Sequence, residues 1–240
     1  GAADVAAKGT VIPIRIVGNR PRATVRVLVA GEEHVGDAMV DTGATTTSLA
    51  AAFRREHPFD VRTTPKVVVG GGVGGFIEGR YFRPDAVMLG PLEFRRPILS
   101  MVEAEEGISD EKDPIDVLLA SDLLRRSRVT FDYARFRMTL EPNTDFAAPF
   151  EADKSGLQIQ ARAGEAKAFE IVGVLPGSAA DEAGVRVGDV LESVDGAPVS
   201  SFTLTRLRDA FRSATSTKWE LGLRRGEKRI RVTVPAKSVI

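Results

Sequence analysis

The chain has 240 residues, 43% of them hydrophobic and 28% charged, which is enough apolar material for one large domain or two ordinary ones. Its 33 basic and 33 acidic side chains balance, and this argues against a protein built mainly to neutralise nucleic-acid phosphates. Because the chain has no cysteine, disulfides, thiolate metal sites and cysteine nucleophiles are excluded.

The first half of the chain is predicted to be mainly β-structure, because β-branched runs alternate with glycine and proline turns. One strand is predicted to end at Asp41, and a short helix is predicted to begin at Ser121–Asp122 and run through Arg126. The acidic stretch 103–113 is expected to be a surface loop. The other predicted strands are 11–17, 23–29, 67–69, 76–82, 86–89, 94–101, 115–119, 129–133 and 137–140.

A boundary is predicted between residues 141 and 154, where Pro142, Pro149 and a polar cluster interrupt the periodicity. Beyond it, an amphipathic helix is predicted at 204–214, with Leu204, Leu207 and Phe211 on one face. The other predicted elements of this half are a helix at 178–183 and strands at 157–159, 169–174, 190–194, 219–223 and 230–234.

The motif Asp41-Thr42-Gly43-Ala44 places a carboxylate directly after an apolar strand. Two carboxyl groups about 3 Å apart cannot both ionise, so such a pair can activate a water and protonate a leaving amine. The chain has one such tetrapeptide, so the second acid would come from another copy of the protein. Thr42 would tie the two loops together, and Gly43 would let a substrate backbone approach closely.

A glycine-rich hairpin tip follows, and it would close over an extended peptide and exclude water. Its residues are Gly70, Gly71, Gly72, Val73, Gly74 and Gly75. The spacing Gly70-x-Gly72-x-x-Gly75 also fits a dinucleotide fingerprint, but the predicted strand at 76–82 stands where that fingerprint needs a helix.

In their order along the chain, these features resemble the retropepsin-like aspartic proteases over residues 11–141. The resemblance rests on the loop 40–44, its continuation Thr47-Ser48-Leu49, the hairpin 70–75 and the segment 117–124. It implies a closed β-barrel half-site that is active as a homodimer, with Ala44 and the hairpin contacting the substrate. Ala120 departs from the pattern, because the family usually has glycine there.

The second half resembles a PDZ domain of the bacterial protease-associated type, on the run 176–191 and its continuation to Val199. The resemblance implies that the backbone of Gly156, Leu157, Gln158 and Ile159 binds a terminal carboxylate, while a peptide adds as a strand beside the helix of Leu204, Leu207 and Phe211. Gln158 replaces a glycine that is often found in that loop. A purely structural or dimer-supporting module is the alternative.

The chain ends in Ser238-Val239-Ile240, a terminus that such a groove could accept, although a frayed tail is the commoner interpretation. His34 and His57 are expected in a turn and a loop at the surface rather than in a metal pair. The sequence therefore predicts no metal and no cofactor. No apolar run approaches the ~18 residues of a membrane span, and no signal peptide is visible at Gly1.

The sequence thus predicts a mainly β protein with a protease domain at 9–142, a linker at 143–154 and an α+β PDZ domain at 155–236. The expected function is an aspartic endopeptidase acting on protein or peptide substrates as a homodimer, with the PDZ domain recruiting substrate or regulating activity. An inactive scaffold that binds peptides through its PDZ domain is the alternative, as is a state in which the hairpin or the tail blocks dimerisation. The resemblance favours the periplasm or cell envelope, with the cytoplasm left open.

Overall fold

The computed structural model describes residues 9–61, 63–72, 75–103, 114–162, 164 and 167–238. The chain divides into two compact units, Gly1–Phe150 and Glu151–Ile240. The predicted fold class, mainly β with an α+β second domain, is confirmed. The closure of the first domain into a barrel stays a prediction.

The first unit contains thirteen strands and two short helices among its described residues. The helices are α1 (Ala51–Glu56) and α2 (Ser121–Leu124). The strands are β1 (Thr10–Pro13), β2 (Arg15–Val17), β3 (Arg20–Val29), β4 (Glu32–Val40), β5 (Ser48–Leu49), β6 (Val67–Gly72), β7 (Gly75–Phe82), β8 (Ala86–Leu89), β9 (Leu92–Arg95), β10 (Leu99–Val102), β11 (Val117–Leu119), β12 (Ser127–Asp132) and β13 (Arg137–Pro142).

Two sheets organise this unit. The larger follows the order β6-β7-β10-β5-β11-β4-β3-β8-β9, with β2 paired to β3, and the smaller has the order β1-β13-β12. Along β3, Val25, Val27 and Val29 are buried in alternation with more exposed residues, as expected for a strand with one face in the core. Phe53 of α1 and Phe82 of β7 are also fully buried in this unit.

The secondary structure of this unit differs from the sequence predictions at several places. The predicted strand 11–17 divides at Ile14, because β1 pairs with β13 whereas β2 pairs with β3. The predicted strand 94–101 divides at Arg96, which has a positive φ of 48° and precedes Pro97. The helix α1 was not predicted; its six residues begin after Ala50, which offers no capping side chain.

The expectation that both histidines lie at the surface is wrong for His34. This residue belongs to β4 rather than to a turn, and its side chain is 8% exposed. Its ring centroid lies 5.3 Å from that of His57 and 5.4 Å from that of Phe59. His34 is therefore part of an aromatic cluster beneath the end of α1.

The second unit contains six strands and two helices among its described residues. They are β14 (Leu157–Ala161), β15 (Phe169–Val174), α3 (Ala179–Glu182), β16 (Val190–Val194), β17 (Ala197–Pro198), α4 (Leu204–Arg212), β18 (Lys218–Arg225) and β19 (Lys228–Pro235). The sheet order is β14-β15-β16-β18-β19, with β17 paired to β16. The predicted helix 204–214 ends earlier, at Arg212.

The core of the second unit is built from its own strands and helices. Leu207 and Phe211 of α4 are fully buried against Trp219 of β18, and the Phe211 and Trp219 rings meet edge to face at 5.3 Å. Such a pair contributes about 0.5–1.5 kcal/mol beyond the area that it buries. Asp195 and Gly196 form the turn between β16 and β17, and both have a positive φ, 49° and 79°.

Residues 143–154, the predicted linker, are divided between the two units. The Arg126 guanidinium donates to the carbonyl oxygens of Asp145, Ala148 and Pro149 and lies 3.5 Å from the centroid of the Phe150 ring. In the second unit, the backbone N–H of Lys154 donates to the carbonyl of Phe211 at 2.9 Å. The first part of the segment is therefore held by the first unit and the last part by the second.

Two predicted features lie outside the described residues: most of the acidic loop, 104–113, and the terminal Val239–Ile240. Among the described residues, no helix is long and apolar enough to cross a membrane.

Candidate functional site

Asp41 stands at the end of β4, in the loop that connects β4 to β5. β11 lies between these two strands, parallel to β4 and antiparallel to β5. The Asp41 N–H extends the ladder by donating to the Leu119 carbonyl at 2.9 Å. The loop therefore starts and ends on strands that are both hydrogen-bonded to β11, and this fixes its two ends.

The loop's own backbone orients the Asp41 carboxylate. Oδ1 accepts hydrogen bonds from the N–H groups of Gly43 at 2.8 Å and Ala44 at 3.2 Å. Among the described residues Oδ2 has no hydrogen-bond partner, and the side chain is only half-buried. One oxygen is thus anchored and the other is available to a water or a second carboxyl group.

Thr42 and Gly43 form the exposed tip of this loop. A Cβ atom at Gly43 would lie 3.2 Å from Asp41 Oδ1, which is tighter than an ordinary van der Waals contact. The glycine therefore keeps the surface beside the carboxylate open, as the sequence predicts for close approach of a backbone.

The first turn of α2 supports the loop from below. The Ala44 carbonyl accepts from both the N–H and the Oγ of Ser121, at 3.0 and 2.7 Å. Asp122 accepts from the N–H of Thr47 through Oδ2 at 2.9 Å and from its hydroxyl through Oδ1 at 2.6 Å. The roles of Thr47 and Asp122 were not predicted from the sequence. The signal that the sequence offered for them was a polar residue next to each of two apolar strands.

Burial raises the pKa of Asp122 above its ordinary value, while the hydrogen bonds from Thr47 oppose this shift. The pKa of Asp122 is raised because this carboxyl group reaches inward to hold the loop and is shielded from water there. Thr47 itself is fully buried. Its hydroxyl also accepts from the N–H of Ala120 at 3.1 Å, so one side chain joins the loop to the start of α2.

Ala120 needs no special backbone conformation. Its φ is −108° and its ψ is 179°, an extended geometry that any residue adopts. The side chain is fully buried, so the methyl group is accommodated by the packing. The departure from the family's usual glycine therefore creates no backbone strain in this chain.

The glycine-rich segment forms the predicted hairpin. β6 and β7 pair antiparallel, with Gly72 opposite Gly75 and Gly70 opposite Ile77, and the register shifts between Val68 and Gly70. β7 pairs in turn with β10, and β10 with β5, so the hairpin is connected by hydrogen bonds to the strand that continues the Asp41 loop. Val73 and Gly74, predicted at the tip, lie outside the described residues.

The predicted carboxylate-binding loop is held by an internal carboxylate. Asp153 Oδ1 accepts from the N–H groups of Ser155 and Gly156, both at 2.8 Å, and from Ser155 Oγ at 2.7 Å. Ser155 Oγ accepts in turn from the N–H of Leu157 at 3.1 Å. Burial raises the pKa of Asp153, with the Ser155 and Gly156 hydrogen bonds acting in the opposite direction.

Gly156 has a positive φ of 78°, and a Cβ there would overlap Ser178. This position therefore requires glycine for two independent reasons. The side chain of Gln158 lies over Gly173 of β15, since a Cβ at Gly173 would overlap its amide.

The predicted groove lies between β14 and α4. Leu204 is partly buried at the start of α4, whereas Leu207 and Phe211 have no exposed surface and belong to the core. Arg208 stands one turn after Leu204, and its Nη2 donates to the carbonyl of Ile159 on β14 at 2.9 Å. Arg208 and Asp153 were not singled out from the sequence.

Among the described residues, no group of three or more histidine, aspartate or glutamate side chains is placed to hold a metal ion.

Comparison with known families matches this geometry. Residues 24–123 match a family model described as aspartyl protease, and residues 170–225 match one described as PDZ domain. The chain joins a retropepsin-like aspartyl protease domain to a C-terminal PDZ domain.

Three matches to individual proteins each cover part of the chain. Over 61 residues, 25% of the chain, it is 44% identical to the periplasmic pH-dependent serine endoprotease DegQ of Escherichia coli (strain K12), and the match spans 13% of that relative's length. Solved structures that match include a retropepsin-like aspartic protease from Rickettsia conorii, with 20% identity, 56% of this chain and 90% of that chain covered, and a TM-score of 0.38. Another is the HtrA3 PDZ domain bound to a phage-derived ligand, with 20% identity, 33% and 80% covered, and a TM-score of 0.30.

Proposed function

We propose that the chain is an aspartic endopeptidase whose catalytic pair consists of Asp41 from each of two protomers. The observation that carries this proposal is the state of the Asp41 carboxylate, with Oδ1 held by two backbone N–H groups and Oδ2 available. The protease-like role is supported by the family match over residues 24–123.

In the proposed reaction, the two carboxyl groups share one proton because they lie too close for both to be ionised. The ionised group takes a proton from a bound water, and the water oxygen attacks the peptide carbonyl carbon. The protonated group gives its proton to the carbonyl oxygen. When the resulting tetrahedral species breaks its C–N bond, the carboxyl group that took the proton from water gives it to the departing amine. The other carboxylate takes a proton from one hydroxyl of the tetrahedral species, which becomes the carboxyl group of the product, and the pair again holds one proton.

The surrounding residues would position the substrate. Gly43 and Ala44 lie beside the carboxylate, and the β6–β7 hairpin would bind the other side of an extended peptide through strand-like hydrogen bonds. Thr42, exposed at the loop tip, would contact the partner's loop and keep the two carboxyl groups together.

The first test is the substitution Asp41→Asn, which removes the shared proton and the base. We expect cleavage of an unstructured protein such as casein to be abolished while the far-UV circular dichroism spectrum stays the same. Asp60→Asn is the matched control, because Asp60 is an exposed aspartate of the same domain, and it should cleave like the wild type. Persistent cleavage by Asp41→Asn would refute the catalytic assignment.

The same protein tests the dimer. Specific activity should rise with protein concentration, and an excess of the inactive Asp41→Asn chain should suppress wild-type activity by forming mixed pairs. The pH–rate profile should be bell-shaped, because a pair with one shared proton needs one group ionised and the other protonated. A chain that stays monomeric by light scattering and cleaves nothing would instead favour the peptide-binding scaffold.

We further propose that the PDZ domain binds extended peptides as an added strand on β14, recruiting substrate or regulating the protease domain. Among the described residues β14 pairs with β15 alone, and α4 packs beside it.

The 44% identical stretch shared with a periplasmic protease also leads us to propose the periplasm or cell envelope as the location. Fractionation of the producing cells would test the location.

A further inference from the structure

The carbonyl group of Ile159 faces the open side of the second sheet. The Gly156 carbonyl accepts from Leu175 and the Arg162 N–H donates to Ala168, so both point toward β15. Backbone groups of successive residues in a strand point in opposite directions. Gly156 and Arg162 have even numbers and Ile159 has an odd one. The backbone N–H and C=O groups of Ile159 therefore point away from β15, toward α4.

Arg208 already donates a hydrogen bond to this carbonyl group. Its Nη2 donates to Ile159 O at 2.9 Å, and the bond spans the space between α4 and β14 in which an added strand would lie. A peptide strand pairing with β14 would need the same oxygen as an acceptor for one of its own N–H groups. Peptide addition and the Arg208 hydrogen bond therefore compete for one atom.

Displacing Arg208 has a cost that depends on the incoming peptide. The side chain is partly buried, and a guanidinium that loses its acceptor in such a position loses a charge-assisted hydrogen bond. A neutral peptide leaves this loss uncompensated. A peptide with a carboxylate on the side that faces α4 offers a stronger and bidentate acceptor.

We infer that Arg208 gates the PDZ groove and selects extended peptide segments that carry an aspartate or glutamate side chain facing α4. The inference rests on the proposed peptide binding and adds the class of ligand. The guanidinium of Arg208 lies between α4 and β14, so an acid on the incoming peptide complements the charge of this side of the groove.

The selected acid is a side chain rather than the peptide's terminal carboxylate. The loop that would bind a terminal carboxylate already uses three N–H groups internally, those of Ser155, Gly156 and Leu157. Asp153 also places a carboxyl group within that loop. Two of the four predicted donors, the N–H groups of Gly156 and Leu157, are therefore already bonded, and a terminal carboxylate here would lie near another acid. A side-chain carboxylate next to Arg208 instead meets a cation.

The test uses the full chain and fluorescein-labelled ten-residue peptides with four varied central positions. Each acidic peptide is also made with asparagine or glutamine in place of its acid, and each in free-acid and C-terminal amide form. By fluorescence anisotropy, we expect the best acidic peptides to bind the wild type about tenfold more tightly than their neutral counterparts. Amidation of the terminus should leave the affinity unchanged.

Three variants test whether Arg208 causes the preference for acidic peptides. Arg208→Gln should reduce the ratio of acidic to neutral affinity to about one, and Arg208→Lys should retain part of it because the charge remains. Arg206→Gln is the matched control, an exposed arginine on the same helix, and should keep the wild-type ratio. Circular dichroism of each variant checks that the domain is folded.

The contrary outcomes separate the two proposals. Peptides that bind with no acid preference, or with the same preference in Arg208→Gln, would overturn the role of Arg208 and leave peptide binding intact. Loss of binding on amidation would assign the recognition to the terminal carboxylate and overturn the side-chain assignment. Failure of every peptide to bind the wild type would overturn peptide binding itself, and the inference with it.

Discussion

At the residue scale, Thr47 links the parts of the candidate site around Asp41. Its hydroxyl donates to Asp122 and accepts from the Ala120 N–H, and its own N–H donates to Asp122. The residue is fully buried, so water cannot replace these partners. The position of the Asp41 loop therefore depends on a side chain that lies inside the domain.

We predict that Thr47→Val, which keeps the shape and removes the hydroxyl, lowers the free energy of unfolding by about 2–3 kcal/mol. The Ala120 N–H and Asp122 Oδ1 would each lose a buried partner. Chemical denaturation measures the change. Thr45→Val is the control, because Thr45 is exposed in the same loop, and should stay within about 0.5 kcal/mol of the wild type. Equal effects of both substitutions would contradict the role of Thr47.

Other single residues show where sequence reasoning reached its limit. Asp41 could be proposed as a catalytic residue because a short motif after an apolar strand carries its chemistry locally. Asp122 and Arg208 could not, because their partners Thr47 and Ile159 are 75 and 49 residues away. Their roles follow from tertiary contacts, which a local pattern does not encode.

At the scale of elements, the β6–β7 hairpin is held against β10 at a point where a side chain has no room. Gly79 of β7 lies opposite Val102 of β10, and a Cβ there would overlap the carbonyl oxygen of Met101. In contrast, a Cβ at Gly70 of β6 would have Ile77 Cδ1 as its nearest neighbour, at 3.9 Å. The two glycines of one hairpin thus have different structural roles.

We predict that Gly79→Ala lowers the free energy of unfolding by about 1–3 kcal/mol, because the backbone of β7 must move away from β10. Gly70→Ala should stay within about 0.5 kcal/mol of the wild type. Urea denaturation followed by circular dichroism measures both. A tolerated alanine at position 79 would show that the hairpin packs less closely on β10 than described.

The elements that sequence reasoning predicted well are those with a strong local signal. The hairpin 127–142 and the strands 169–174 and 190–194 have β-branched runs with turns at their ends. α1 was missed because its six residues have neither a capping side chain nor a full amphipathic repeat. The division of 94–101 was missed because it depends on the positive φ of Arg96, a conformation that is uncommon for arginine.

At the scale of the whole molecule, each unit has its own hydrophobic core. All members of the second core lie between residues 157 and 236. The chain has a single tryptophan, Trp219, and it is 1% exposed in this core. Tryptophan fluorescence therefore reports on the second unit.

We predict that a fragment of residues 151–240 folds without the rest of the chain, because its core needs no residue from outside it. A cooperative loss of Trp219 fluorescence in urea would demonstrate folding. The control is a shorter fragment that ends at Gly226, which lacks β19 and with it the partner of all eight residues of β18; it should show no cooperative transition. Gradual, non-cooperative change in the longer fragment would contradict the prediction.

The position of β11 between β4 and β5 has a consequence for protein synthesis. The segment that contains Asp41 leaves the ribosome well before residues 117–122, which supply its hydrogen-bond partners. A nascent chain that stops short of them has the acidic motif without the framework that orients it. For the endopeptidase proposed above, this order would postpone cleavage until the domain has been fully translated, so unfinished chains emerging nearby would be spared.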